Sequence, residues 1–349
     1  MAKPGLCTFD AVPPGSWWGP MLAEWVAAGV PTHRPPGKVA ARVGQLWSRY
    51  GLQFNVRRGG TALIYPNGWA GTKWLFPRGI WQETIVCGMD CWGRDWERWA
   101  GAMRRLRVRS AAFTARQSAQ EMSQRNPKLA TLWLPEAIDP VGYDGARPLR
   151  DRGVDLLEMG RLHEAFHLPV AEALNRAGRA HQFGREGKRL FHDHAEIRAA
   201  MGDAKLLVCY PRCDTHPQEA GGVETMTLRY LEGFVSGCVV VGRAPQELVD
   251  LFGYNPVIEI DVEQDPGGRV LGVLDRIDEQ QELVERNRQR VTEVGLWPER
   301  MMGFMRWLEG LGYELPAKAR ERIADAGPTW VERLGVESCV FGRSGEVAS

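Results

Sequence analysis

The sequence predicts an α/β protein with doubly wound parallel sheets. Two observations lead to this fold class. Short apolar runs alternate with longer amphipathic segments along most of the 349 residues, which is typical of parallel strands connected by helices. The composition, 44% hydrophobic and 25% charged, suits one large or two ordinary globular domains.

The N-terminal half opens with a strand at 5–12, a turn rich in Pro and Gly at 13–20, and a helix at 21–28. Nucleotide-binding α/β domains begin in this order, but the G-x-G-x-x-G fingerprint is missing, which argues against an NAD-dependent enzyme. The other elements predicted in this half are strands 62–65, 83–87 and 110–114 and a helix over 92–106.

The C-terminal half follows a hinge that is rich in Pro, Gly, Asp and Arg. Its predicted strands are 154–159, 178–183, 205–210, 238–242 and 257–260; its helices are 164–176, 194–201, 225–235 and 245–252; and its last segment is helical at 279–293, 298–310 and 329–334. We therefore divide the chain into a first domain 1–135, a linker 136–152, a second domain 153–325 and a tail 326–349.

Composition excludes several classes of protein. The sequence has no run of about 18 or more apolar residues, so we expect no transmembrane segment. The N-terminus lacks the apolar core of a signal peptide, so we expect a cytoplasmic protein. A net charge of +1 gives no general attraction to nucleic acid.

Cysteine and histidine spacings suggest no metal centre. Two of the seven cysteines form Cys87-x3-Cys91 and two form Cys209-x3-Cys213, spacings that zinc permits. Cys87 and Cys209 fall in or at the ends of apolar strands, where cysteine acts as a small buried hydrophobe. His192-Asp-His194 begins a helix, and its aspartate is a plausible N-cap. We expect no metal and no cofactor.

Glu224 and Glu232 carry most of the functional information. In a helix over 225–235, a step of eight residues rotates a side chain to only about 80° from its start. Both carboxylates would then face one cleft. Ionised carboxylates are strong acceptors from sugar hydroxyls, so this pair suits a polyhydroxy ligand.

The stretch around this pair resembles the glutamate-x7-glutamate motif of retaining, nucleotide-sugar-dependent glycosyltransferases with the GT-B fold. Three further segments resemble that family in the same order. They are Leu134–Pro140, which leaves the first domain, Asp155–Arg161, a strand that ends in glycine-arginine, and Ala204–Pro211, a strand that ends in proline. The resemblance implies two Rossmann-like domains facing a cleft, with C-terminal helices crossing back to the first domain.

The resemblance also implies a set of donor-binding residues. Arg161 matches the arginine that binds the diphosphate, and His167 stands where the family has a lysine. Glu232 would accept the ribose hydroxyls, and Glu224 would hold the transferred sugar as a catalytic residue. Helix N-termini bind phosphates, so the amides of Thr225, Met226 and Thr227 are further candidates.

Other positions depart from the family or belong to the acceptor side. The loop before Glu224 is longer than in the family, and its Arg212 and His216 are candidates for phosphate or sugar contact, with Gly221 and Gly222 supplying mobility. Met89 replaces the family's histidine, which leaves Asp90 as the acidic candidate to orient or deprotonate the acceptor. The alternative for Asp90 is the N-cap of the 92–106 helix. Acceptor-side candidates in the first domain are Gly15, Trp17 and Trp92.

The predicted function is transfer of a sugar from a UDP- or GDP-linked donor, with retention and without metal. Two alternatives stay open, a nucleotide-sugar epimerase or hydrolase on the same fold and a non-catalytic module that binds sugar or nucleic acid. The acceptor stays open among a glycan, a lipid-linked glycan, a small molecule and a modified nucleic acid, and so does the oligomeric state.

Overall fold

The computed structural model describes residues 6–9, 19–33, 60–75, 79, 82–184 and 190–342, together with residues 37, 39, 40, 42, 43, 46 and 50. The chain divides into two compact units. Unit 1 takes Met1–Pro135, Gln218–Val223 and Trp297–Ser349, and unit 2 takes Glu136–Pro217 and Glu224–Leu296.

Twelve strands form two sheets in the described part of the chain. They are β1 (Leu6–Phe9), β2 (Thr32–His33), β3 (Thr61–Ile64), β4 (Glu83–Gly88), β5 (Ser110–Phe113), β6 (Ala130–Trp133), β7 (Val154–Glu158), β8 (His181–Phe183), β9 (Ala204–Cys209), β10 (Val239–Gly242), β11 (Ile258–Glu259) and β12 (Val340–Phe341).

The sheet of unit 1 has the order β12-β6-β5-β4-β3-β1-β2. Every pair in it is parallel except β12, which runs antiparallel to β6 at the edge. Strands β4 and β5 are buried along almost their whole length, as expected for a parallel sheet covered on both faces.

The sheet of unit 2 is wholly parallel and has the order β11-β10-β9-β7-β8. Its core joins apolar side chains of the central strands to helices of this unit. Leu156, Leu206 and Val239 from the strands pack in one cluster with Phe166 and Val270 from the helices. Burial of these side chains stabilises the unit by roughly 1.5–3 kcal/mol for each one that is fully removed from water.

The α-helices alternate with the strands. Their bounds are Gly19–Ala27, Gly68–Gly71, Trp96–Leu106, Arg116–Arg125, Glu164–Arg176, His194–Asp203, Arg212–Thr215, Pro217–Ala220, Leu228–Val235, Gln246–Phe252, Pro266–Asp275, Gln281–Val294, Trp297–Gly310, Ala317–Asp325, Trp330–Leu334 and Val336–Cys339. Short 3₁₀ turns occur at Thr72–Leu75, Gly93–Asp95, Leu149–Asp151 and Ile277–Gln280.

The predicted fold class is confirmed, because both sheets are doubly wound and parallel apart from the edge strand β12. The elements of unit 2 match the predicted order, and the helix Glu164–Arg176 has the predicted bounds. The elements that were not predicted include three longer helices, Arg116–Arg125, Pro266–Asp275 and Ala317–Asp325, the strands β2, β6 and β12, and several one-turn helices.

The C-terminal helices return to unit 1, as predicted, but they do so earlier in the chain. The helix Trp297–Gly310 already belongs to unit 1, where Phe304 meets Trp25 edge to face with ring centroids 5.6 Å apart. Trp330 contacts Trp133 in the same way at 5.8 Å. We predicted a boundary after residue 325, but the chain passes from unit 2 to unit 1 after Leu296. The reason is that the apolar face of Trp297–Gly310 is part of the core of unit 1. The segment 136–152, taken as a linker, is part of unit 2.

Among the described helices, none combines the length and the apolar character that crossing a membrane requires.

Candidate functional site

The carboxyl edge of the unit 2 sheet collects most of the predicted donor-binding residues. The strand order changes direction between β7 and β9, and ligands of open α/β sheets bind outside the carboxyl ends of the strands at such a switch point. Arg161 follows β7, and Arg212 and His216 follow β9. The sheet thus brings together residues that are far apart in the sequence.

His167 lies in the first turns of the helix Glu164–Arg176 and contacts a buried carboxylate. Its Nδ1 is 2.7 Å from Oε1 of Glu158, the last residue of β7. Nε2 of His181, the first residue of β8, lies 2.8 Å from the same oxygen. Nδ1 is thus the His167 nitrogen that faces Glu158, and Nε2 is the nitrogen on the other side of the ring. Arg161, by contrast, is exposed.

Glu224 is held by Arg243, a residue that the sequence analysis did not single out. Arg243 follows β10, donates to Oε1 of Glu224, and also forms a two-pronged contact with Asp214 at 2.5 and 2.8 Å. The hydrogen bonds with Asp214, followed by those with Glu224, raise the pKa of Arg243 above its ordinary value. Glu224 is therefore oriented before any ligand arrives.

The backbone of Gly242 makes this position of Arg243 possible. Gly242 has φ +133°, and a Cβ atom there would lie 2.1 Å from the carbonyl oxygen of Cys209 on the neighbouring strand. Only glycine fits such a close approach.

The prediction that 225–227 form the first turn of the helix is wrong. The helix begins at Leu228, and Thr227 is its N-cap with extended backbone. Thr225 Oγ1 and the amide of Met226 both donate, at 2.6 Å, to Oε1 of Glu247. This buried carboxylate holds the segment outside the helix. Glu224 and Glu232 therefore do not lie on one helix, and the prediction that helical rotation brings them to the same side fails. The amide of Met226 already donates to Glu247.

Glu232 lies inside the helix Leu228–Val235 and is 5% exposed. Its Oε1 accepts a hydrogen bond from the Tyr143 hydroxyl at 2.9 Å, and its Oε2 lies 2.8 Å from Nη1 of Arg229. Burial, and then the charge of Glu232, raise the pKa of Tyr143 above its ordinary value, so the hydroxyl stays a donor. Arg229 could have been found from the sequence, since it stands three residues before Glu232 on the same helical face. Tyr143 could not.

The long loop before Glu224 is partly helical. It contains the short helices Arg212–Thr215 and Pro217–Ala220. The Nδ1 atom of His216 is buried and has no hydrogen-bond partner among the described residues. The residues 218–223, with positive φ at Gly221 and Gly222, belong to unit 1.

In unit 1, Asp90 follows β4, as predicted. It is exposed and has φ +49°, a left-handed conformation that is uncommon outside glycine. The alternative of a helix N-cap is wrong, because Asp95 precedes the helix Trp96–Leu106. Trp92 is 8% exposed. Gly15 and Trp17 lie outside the described residues.

The remaining sequence-based predictions concern cysteine and the cap at Asp193. Cys87, Cys91 and Cys209 are buried, as predicted for small hydrophobic side chains, and burial raises the pKa of each thiol above its ordinary value. Asp193 caps its helix as predicted, accepting from the amides of Ala195 and Glu196.

Comparison with known proteins gives similarity at the level of structure. No family model matches the sequence, and no curated protein matches it. The crystal structures of HepE from Anabaena in complex with UDP and glucose and in complex with UDP-glucose each superpose with a TM-score of 0.54 at 11% identity, covering 87% of this chain and 99% of HepE. The complex of HepE with UDP gives 0.53 at 11% identity, covering 88% and 99%. Two parallel α/β units with returning C-terminal helices, matched over nearly all of HepE, show that this chain has the GT-B fold.

Proposed function

We propose that the protein is a glycosyltransferase that moves a sugar from a nucleoside-diphosphate sugar to an acceptor. The observation that carries the proposal is the oriented Glu224, held by Arg243 beside the switch point of a doubly wound sheet. The resemblance of the Glu224 and Glu232 region to the family's motif supports it. HepE, which has a similar fold, binds UDP and UDP-glucose, so a uridine donor is the first choice.

In this proposal the donor is bound in parts. Arg161, Arg212 and His167 contact the diphosphate, and Glu232 accepts the ribose hydroxyls. Glu224 accepts hydroxyls of the transferred sugar, and the loop around His216 lines the sugar.

The reaction proceeds with retention. The bond between the anomeric carbon and the β-phosphate oxygen breaks, and a bond forms from that carbon to the acceptor oxygen on the same face. The acceptor proton passes to the leaving phosphate, and Asp90 orients the acceptor. Arginine side chains offset the charge of the leaving diphosphate, so transfer needs no added magnesium or manganese. The anomeric configuration of the product tests retention.

Binding is the first test, since it needs no acceptor. UDP binding to the folded state raises the unfolding temperature, and 100-fold excess over Kd adds about 2.7 kcal/mol. Arg161→Ala should weaken this stabilisation, and Arg176→Ala, an exposed arginine of the same unit, should not. If no nucleoside diphosphate stabilises the protein, the proposal is wrong.

Turnover is the second test, with UDP-glucose and a panel of glycan, lipid-linked and small-molecule acceptors. Glu224→Ala and Arg161→Ala should abolish transfer while the circular dichroism spectrum is unchanged, and the control Glu172→Ala removes an exposed carboxylate of the same unit without effect. Release of free glucose at full rate without any acceptor would identify a hydrolase instead.

A further inference from the structure

Three side chains of metal-ligand type meet in unit 2, beneath the carboxyl edge of its sheet. They are Glu158 at the end of β7, His181 at the start of β8 and His167 on the crossover helix between these strands. One ligand atom from each lies within 4.8 Å of the other two, with 2.7 and 2.8 Å from the histidine nitrogens to the carboxylate. Across the described residues, this is the one group of His, Cys, Asp and Glu with such geometry.

The cluster is mostly shielded from water, and one of its polar atoms lacks a hydrogen-bond partner. The side chains of Glu158, His181 and His167 are 2%, 7% and 13% exposed. Oε2 of Glu158 is buried and has no hydrogen-bond partner among the described residues. A buried carboxylate with one oxygen unpaired is costly. A cation at this position would offset its charge and bind the second oxygen.

The two imidazole rings are also held in place. The Phe183 ring packs against both, with ring centroids 4.7 Å from His167 and 4.7 Å from His181. Because these contacts fix the rings with one nitrogen each toward Glu158, the donor atoms converge before any ion is bound.

We propose that Glu158, His167 and His181 bind one divalent transition-metal ion, zinc by preference. Two imidazoles and one carboxylate form a three-ligand set that zinc uses with a fourth, open position. Zinc bonds of about 2.0–2.2 Å in a tetrahedron place ligand atoms about 3.3 Å apart. The two nitrogen-to-oxygen distances of 2.7 and 2.8 Å lie about 0.5 Å below this value, so small outward shifts of the two rings would reach it.

The chemical types of the three ligand atoms determine which ions can compete for this site. Magnesium and calcium prefer oxygen ligands, and two of the three ligands here are nitrogen. Ferrous iron uses the same two histidines and one carboxylate, so it is the ion to test beside zinc. The site does not depend on the proposed transferase activity, and it is distinct from a magnesium or manganese ion bridging a diphosphate.

Cobalt titration tests the site, using the full chain without a histidine tag and stripped of metal. We expect one Co²⁺ per chain, with visible absorption of a four- or five-coordinate ion that Zn²⁺ abolishes. His181→Gln and Glu158→Gln should lower the affinity by more than the roughly 10–100-fold that loss of an outer-shell group causes. His194→Gln, an exposed histidine of the same unit, should bind as the wild type does.

Two results would overturn the proposal. The first is a wild-type protein that binds neither Co²⁺, Zn²⁺ nor Fe²⁺ stoichiometrically, which would make the cluster a hydrogen-bonded triad. The second is unchanged Co²⁺ binding in His181→Gln and Glu158→Gln. Thermal unfolding gives an independent readout, because excess Zn²⁺ should raise the midpoint of the wild type and of His194→Gln but not of His181→Gln.

Discussion

Tyr143→Phe isolates the contact that positions Glu232. The change removes one hydroxyl, which donates to the buried carboxylate at 2.9 Å, and leaves the ring in place. A hydrogen bond to a charged group contributes roughly 1.5–3 kcal/mol, against roughly 0.5–1.5 kcal/mol for a neutral pair. Tyr143 is half-buried, so we expect a loss near 1.5 kcal/mol in the free energy of unfolding.

A double-mutant cycle separates this contact from other effects of the change. Glu232→Gln keeps an acceptor for Tyr143 but removes the charge. The coupling between the two changes should equal the difference between a charged and a neutral hydrogen bond, about 1 kcal/mol. Tyr254→Phe is the matched control, because Tyr254 donates to a neutral acceptor, Asn287, at 2.9 Å in the same unit. It should lose less stability than Tyr143→Phe.

The assay exploits the distribution of tryptophan. All 14 tryptophans fall within the residue ranges of unit 1, so their fluorescence follows that unit, whereas circular dichroism follows both. In urea, Tyr143→Phe should shift the transition seen by circular dichroism more than the one seen by fluorescence. A coupling energy below about 0.3 kcal/mol, the usual scatter of additivity, would refute the reasoning, and so would a larger loss in Tyr254→Phe.

Two further predictions concern the scaffold. Gly303→Ala should destabilise unit 1 by roughly 1–3 kcal/mol, because the new Cβ would lie 2.6 Å from Nε1 of the buried Trp330. Tryptophan fluorescence in urea measures this loss. The control is Gly310→Ala on the same helix, whose Cβ meets nothing within 4 Å and which should cost no stability. The hydrogen bond from the amide of Glu196 is the main cause that lowers the pKa of Asp193 below its ordinary 3.8, so its ionised form stabilises the folded state above that value. The urea midpoint of the wild type should therefore exceed that of Asp193→Ala at pH 6, and the gap should shrink as the pH falls below about 4. A gap that widens toward acid would contradict this sign.

Periodicity predicted the elements whose structure is decided locally. The helix Glu164–Arg176 buries Phe166, Val170 and Leu174 at helical spacing, and the apolar runs of β9 and β10 read directly as buried strands. The helix Arg116–Arg125 was missed because its sequence is mostly polar, with a weak apolar face.

Tertiary contacts decided what the sequence could not predict. The helix begins at Leu228, and not at Thr225 as predicted, because Glu247, distant in the sequence, accepts hydrogen bonds from Thr225 and Met226. Glu158 and His181 meet because β7 and β8 pair in parallel. No sequence motif sets the length of the segment that connects these two strands. Neither contact has a local signature.

If the proposed function holds, the carboxyl edge of unit 2 gives the two ends of the donor different kinds of partner. Arg243 is committed to Asp214 and Glu224, two carboxylates for one guanidinium. Because these two carboxylates neutralise its positive charge, Arg243 would attract a diphosphate only weakly. Its effect is to hold Glu224 in one orientation. Preorganised groups contribute most to the transition state, because no reorganisation is needed when charge develops. In the proposed complex the phosphate charge is met by the arginines that follow β7 and β9, so the sugar end is positioned by a preoriented carboxylate and the phosphate end by positive charge.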